Sequence, residues 1–143
     1  MKRYSAGQSY LHVATQTASP GHLVLMLYEG AIRFLERALV GFGSDDPAEF
    51  NETIHNNVAR AQAILDELTA SLDLKGGGEF ATHMQGLYAY LDRRLQESNM
   101  RKDPAGIEEV ISRLSVVRDA WREMLTKASS APAPAFEGLM AQG

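Results

Sequence analysis

IHNNVARAQAILDELTASL, residues 54–72, carries the pattern that decides the fold. Ile54, Val58, Ala61, Leu65, Leu68 and Leu72 recur at alternating steps of four and three. That is the repeat of a helix burying one face. The same spacing continues on the C-terminal side. Phe80, Met84, Leu87, Leu91 and Leu95 form one seam, and Ile107, Val110, Leu114, Val117, Trp121 and Met124 form another. Seams of this kind suit packing at small crossing angles. Nowhere does the chain alternate with the period of two that a half-buried strand needs.

Proline and glycine stand between these segments rather than inside them. Pro20, Pro47 and Pro104 each follow a residue able to cap a helix: Ser19, Asp46 and Asp103, with Asp45 beside the second. Proline costs nothing at a first helical position, because that amide has no helical partner anyway. Gly41, Gly43 and the run Gly76–Gly78 fit helix ends and turns. The spacing therefore predicts helices over about 19–41, 47–73, 78–100 and 104–129. Links this short join antiparallel neighbours. The expected fold is all-α, an antiparallel four-helix bundle.

The first helix differs from its companions. Leu25, Tyr28, Ile32, Leu35 and Leu39 form one seam; Leu23, Leu27, Ala31, Phe34 and Ala38 form a second, with Val24 and Met26 between. A helix apolar nearly all round is central or covered by something else. One candidate cover is the N-terminal segment 1–18, folding over the bundle as a lid through Tyr4, Tyr10, Leu11 and Val13. The other is an apolar segment of a partner. Residues 130–143, SAPAPAFEGLMAQG, read as a flexible tail, with Phe136, Leu139 and Met140 as its apolar positions.

Composition narrows the chemistry. At 143 residues with 45% apolar and 22% charged side chains, the chain suits one folded domain. No cysteine is present, which excludes thiol catalysis, thiolate-bound zinc and disulfides. Net charge is −4, from 14 basic and 18 acidic residues, without the basic stripe of a nucleic-acid binder. No run approaches the roughly 18 apolar residues of a membrane span. The N-terminus lacks the apolar core of a signal peptide, so a soluble, cytoplasmic protein is expected.

Bundles often hold two-metal carboxylate sites built from paired Glu-x-x-His motifs. Only one such pair occurs here, Glu52 and His55; Glu79 and His83 merely share a helical face. None of His12, His22, His55 and His83 is followed by the Lys-Gly of a phosphotransfer histidine. There is no Gly-x-Ser-x-Gly elbow, and the triple glycine lacks the lysine of a phosphate loop. No metal, cofactor or catalytic residue is assigned, and an enzyme is not expected. Arg118, one turn before Trp121, could stack on the indole or stand on a solvated rim.

The order of certain short motifs is more specific. Tyr10 is followed by Thr17-Ala18-Ser19-Pro20 and then by a leucine-rich run from Leu23 ending in Leu27-Tyr28-Glu29-Gly30-Ala31. Ala61-Gln62, Glu67-Leu68, Leu87-Tyr88, Tyr90, Arg94-Leu95, Asn99, Asp103, Glu109-Val110 and Arg118-Asp119-Ala120-Trp121 come after. Over about residues 4–125 this series resembles the flagellin export chaperone family, FliS.

The resemblance implies a cytoplasmic chaperone that holds the disordered C-terminal region of flagellin, blocks premature polymerisation and delivers flagellin to the export apparatus. A co-chaperone or the flagellar anti-sigma factor are further partners reported for parts of that family. It implies that Tyr10 belongs to a lid, that Leu23, Leu27, Tyr28 and Ala31 are divided between the lining of a groove and the core, and that Ala61 and Leu65 of the second helix give small and apolar positions for close helix approach; these seven are the expected partner-binding residues. A bundle with a doubly apolar helix suits such helix-in-groove recognition. The competing reading is a self-associating structural bundle whose extra apolar face is a homodimer interface.

Overall fold

A computed structural model describes residues 19–129 of the chain. The expected lid, with Tyr10, and the expected tail over 130–143 lie outside the described residues. Four helices make up the rest: α1 Pro20–Gly41, α2 Pro47–Ala70, α3 Gly78–Arg101 and α4 Ala105–Ser129. No strand occurs among the described residues. The four expected segments are all present; α2 ends at Ala70 rather than 73, and α4 starts at Ala105.

The capping residues act as their positions suggest. Ser19 Oγ accepts from the His22 amide at 3.3 Å, and Asp46 Oδ1 accepts from the Ala48 and Glu49 amides at 2.9 and 3.3 Å. Asp103 Oδ1 accepts from the Ala105 amide at 3.0 Å. These carboxylates and the hydroxyl satisfy amides that the first helical turn leaves without partners. Gly78 opens α3 at φ 61, a backbone conformation that a side chain would strain.

Each helix packs on the next, and α4 returns against α1 to close the ring. Side-chain ties show the antiparallel sense. Trp121 near the end of α4 reaches Gly21 at the start of α1, while His55 near the start of α2 meets Asn99 near the end of α3. The core collects Leu35, Ile54, Ile64, Leu91, Leu95, Ile107 and Leu114, all without exposed surface.

The two apolar seams of α1 have a structural outlet: this helix makes the two most extensive interhelical contacts, with α2 and with α4. Leu27, Ala31 and Ala38 of the second seam are buried, and Leu23, Val24, Met26, Phe34 and Leu39 are half-buried. Small residues draw α1 and α2 together. A Cβ at Gly30 would meet Ile64 Cδ1 at 3.3 Å, and one at Gly41 would meet Thr53 Cγ2 at 2.8 Å. Ala61 faces this junction fully buried. Most of what reads as surplus apolar surface on α1 is thus consumed by close packing of two helices.

On α3 the buried stripe departs from the expected one. Tyr88 is in the core and Leu87 only half-buried, while Phe80 is 47% exposed. Tyr88 can enter the core because its hydroxyl finds a partner there. Between α3 and α4, Glu109 collects three donors: Tyr90 Oη at 2.5 Å, Arg94 Nε at 2.7 Å and Arg113 Nε at 2.8 Å. These hydrogen bonds, led by that from Tyr90, hold its carboxyl down to about 2.

Candidate functional site

The end of the bundle where α1 begins and α4 finishes carries a cleft. Val24 and Tyr28 of α1, Ser71 and Leu72 after α2, Phe80, Met84 and Tyr88 of α3, and Trp121 of α4 enclose a cleft of about 40 Å³. The small volume reflects side chains that nearly meet, not an empty channel. Through Phe80 it opens onto a recess of about 810 Å³ at the α2–α3 turn, lined by Leu74, Lys75, Gly78, Glu79, Phe80, Thr82 and His83. Leu74 and Phe80 are each 47% exposed. Two large apolar side chains at one turn, beside a cleft, are the chemistry of a surface that receives another apolar group.

The floor of the cleft is polar. Tyr28 and Tyr88 bring their hydroxyls to 2.5 Å across the bundle. Burial raises the pKa of both, so the pair is neutral and one hydroxyl donates to the other. One wall is fixed by Trp121, whose Nε1 donates to the Gly21 carbonyl at 2.8 Å. A first-turn carbonyl of α1 is already engaged in its own helix, so the indole adds a tie between chain regions a hundred residues apart. Arg118 does not take that role; its Nε lies 3.0 Å from Asp119 Oδ1.

The residues expected to meet a partner fall into three places. Leu23 is half-buried near the start of α1. Leu27, Tyr28, Ala31, Ala61 and Leu65 are buried in the core, at 4%, 2%, 0%, 0% and 1% exposure. Tyr10 lies outside the described residues. Of this set only Tyr28 lines the cleft. Val24, Leu72, Met84 and Phe80 line the cleft without being among the residues expected to meet a partner, and the spacing of Phe80 placed it in the core seam. Their signal was present in part, as apolar residues flanking the Gly76–Gly78 turn, where a bundle runs out of neighbours to cover them.

The motif series has a clear structural meaning. Tyr88 ties to Tyr28, Trp121 to Gly21, and Tyr90 and Arg94 to Glu109. Asn99 Nδ2 contacts His55 Nδ1 at 3.0 Å, and Asp103 caps α4 and accepts through its carbonyl from Ser98 Oγ. Charge-assisted and buried hydrogen bonds fix how helices register against one another. Residues that looked like signature positions are, in this chain, the interhelical ties.

No helix of the described residues is long and apolar enough to cross a membrane, and no cluster of three or more potential metal ligands occurs among them. The family model described as flagellar protein FliS matches residues 2–128. The flagellar secretion chaperone FliS of Salmonella typhimurium is 39% identical over 117 residues, covering 81% of this chain and 84% of the relative. The protein of the same name from Bacillus subtilis is 33% identical, covering 82% and 84%, and that of Campylobacter jejuni is 34% identical, covering 87% and 94%. With the motif series, the bundle and a match spanning all four helices in agreement, this chain belongs to the flagellar protein FliS family.

Proposed function

We propose that the protein is a cytoplasmic secretion chaperone that captures the disordered C-terminal region of flagellin, prevents its premature polymerisation and passes it to the flagellar export apparatus. The observation that carries this reading is the family match over residues 2–128. It is a chaperone family rather than an enzyme class, and the relatives are named for flagellar secretion. The exposed Leu74 and Phe80 beside the Trp121 cleft supply the apolar contact that an amphipathic client segment needs. Tyr10 and Leu23 act at the surface in this reading. Leu27, Tyr28, Ala31, Ala61 and Leu65 act from below, by holding α1 and α2 at the spacing that shapes the groove.

Capture of this kind orders the client as it binds, typically burying about 1,000–3,000 Å² at an ordering cost of a few kcal/mol. Calorimetry with a flagellin C-terminal fragment is expected to give one-to-one binding. Phe80→Ser is expected to weaken it at least several-fold while leaving the melting temperature unchanged, since the ring is half in solvent. Absence of binding by the unmodified chain, together with a concentration-dependent dimer in light scattering, would replace this reading with that of a self-associating bundle.

A further inference from the structure

The fold treats its cations unequally. On α4 each of them has a carboxylate: Arg113 meets Glu109 at 2.8 Å, Arg118 and Arg122 meet Asp119 at 3.0 and 3.7 Å, and Lys127 meets Glu123 at 3.2 Å. On the outer face of α1 and α2, the exposed Arg37 and Arg60 make no ion pair among the described residues. Their guanidinium carbons lie instead 5.5 and 5.7 Å from the centroid of one ring, that of Phe34. No residue three or four places from either arginine along its own helix is acidic. Neither helix therefore supplies the carboxylate that those positions commonly give.

The packing of α1 on α2 holds the two charges together. Gly30 against Ile64 and Gly41 against Thr53 draw the helices close on either side of Phe34, which is half-buried and packed on the core. Arg37 from α1 and Arg60 from α2 thus reach the same ring. Each gains the negative face of the aromatic system. Its planar fork of N–H donors remains free for a bidentate carboxylate. Val40, one turn beyond Arg37, is 77% exposed and adds an apolar contact at the edge. The patch is cationic on a chain whose net charge is −4.

These features select the class of partner. Two cations are too few for a nucleic-acid backbone, where affinity grows with the number of phosphates neutralised. They are also too few for an anionic membrane, which takes clusters of about 4–8 Lys or Arg. Carboxylates one helical turn apart stand roughly 5–6 Å from each other at their Cβ atoms, a spacing that two guanidiniums sharing one ring can meet. The patch runs along the second half of α1 and the middle of α2, whereas the Trp121 cleft takes Val24 and Tyr28 from the first half of α1. Neither the cleft nor the recess beside it is lined by Phe34, Arg37, Val40 or Arg60.

We propose that Phe34, Arg37, Val40 and Arg60 form a second docking surface, for an acidic amphipathic helix of another protein. That helix carries two carboxylates one turn apart and an apolar residue on the same face. The proposal goes beyond the chaperone reading and does not rest on it.

The test uses the isotope-labelled full-length chain and a synthetic helix of about fourteen residues, with glutamates paired at four-residue spacing and leucines on the same face. The peptide is expected to shift the amide signals of residues 33–41 and 56–64 and to leave those of Leu74 to His83 unmoved. Arg37→Glu/Arg60→Glu should weaken binding about ten-fold, as expected for losing two exposed ion pairs and gaining repulsion. Arg37→Gln/Arg60→Gln should weaken it in the same direction by less, and decides the matter if the charge reversal disturbs folding. The same peptide with glutamine for each glutamate should leave the spectrum unchanged. Four results each overturn the proposal: no shifts, shifts confined to the Phe80 end, binding that survives both arginine double changes, or an equal response to the glutamine peptide. Phosphatidylglycerol vesicles that perturb the same amides, where the acidic peptide does not, would assign the patch to a membrane surface and also overturn it.

Discussion

The α1–α2 junction and the Phe80 end of the bundle are built from similar apolar sequence and behave in opposite ways. At the junction, Gly30, Ala31, Ala38, Gly41 and Ala61 remove side-chain bulk, the helices close on each other, and large neighbours such as Ile64 and Leu65 lose nearly all exposure. At the far end, the Gly76–Gly78 turn ends the cover over α3, and Leu74 and Phe80 stay half in solvent. Hydrophobicity alone does not say whether a residue stabilises the fold or meets a partner. The number of neighbouring elements that can reach it does.

That contrast can be broken first at the junction. Leu65→Ala is expected to destabilise by about 2–5 kcal/mol in chemical denaturation, because a buried side chain is lost from close-packed surroundings. A loss as small as that of a surface change would show that the α1–α2 junction is not close-packed around Leu65.

The floor of the cleft tests the boundary between the two regions. Tyr28→Phe is expected to cost about 1–3 kcal/mol by leaving the Tyr88 hydroxyl buried without its partner. The double change Tyr28→Phe/Tyr88→Phe should cost less than the two single changes together, and a double-mutant cycle measures that coupling. Strict additivity would mean that the hydroxyls do not act as a pair.

The smallest effect is expected at the α3–α4 surface, where Glu109 gathers Tyr90, Arg94 and Arg113. Its carboxyl is held down to about 2 from 4.5, so its contribution is complete above the ordinary carboxylate range and is lost as pH falls toward 2. Glu109→Gln should flatten the acid limb of stability between about 4.5 and 2, measured by denaturation at a series of pH values. These groups are partly solvated, and screening keeps the effect modest.

Much of the fold was legible in the chain. The three-and-four steps through Ile54 to Leu72 placed α2 and its core residues, and Ser19, Asp46 and Asp103 marked three helix starts. The candidate site was legible only in outline. Leu27, Ala31, Ala61 and Leu65 share the apolar character expected of a groove, yet they lie in the core. Phe80 fitted the α3 seam by spacing and lies at the surface. Periodicity reports which face of a helix is apolar; it does not report whether the neighbouring helix extends far enough to cover it.

The helices, their order, their short links and the family could be read from residue order alone, because periodicity, capping and motif order are local properties of the chain. It took the packed bundle to reveal that α1 uses most of its second seam in close interhelical contact, that Tyr88 rather than Leu87 faces inward to meet Tyr28, and that Leu74 and Phe80 remain half-exposed. Those outcomes depend on how closely two backbones approach and where a neighbour stops, and both are set by the whole bundle at once.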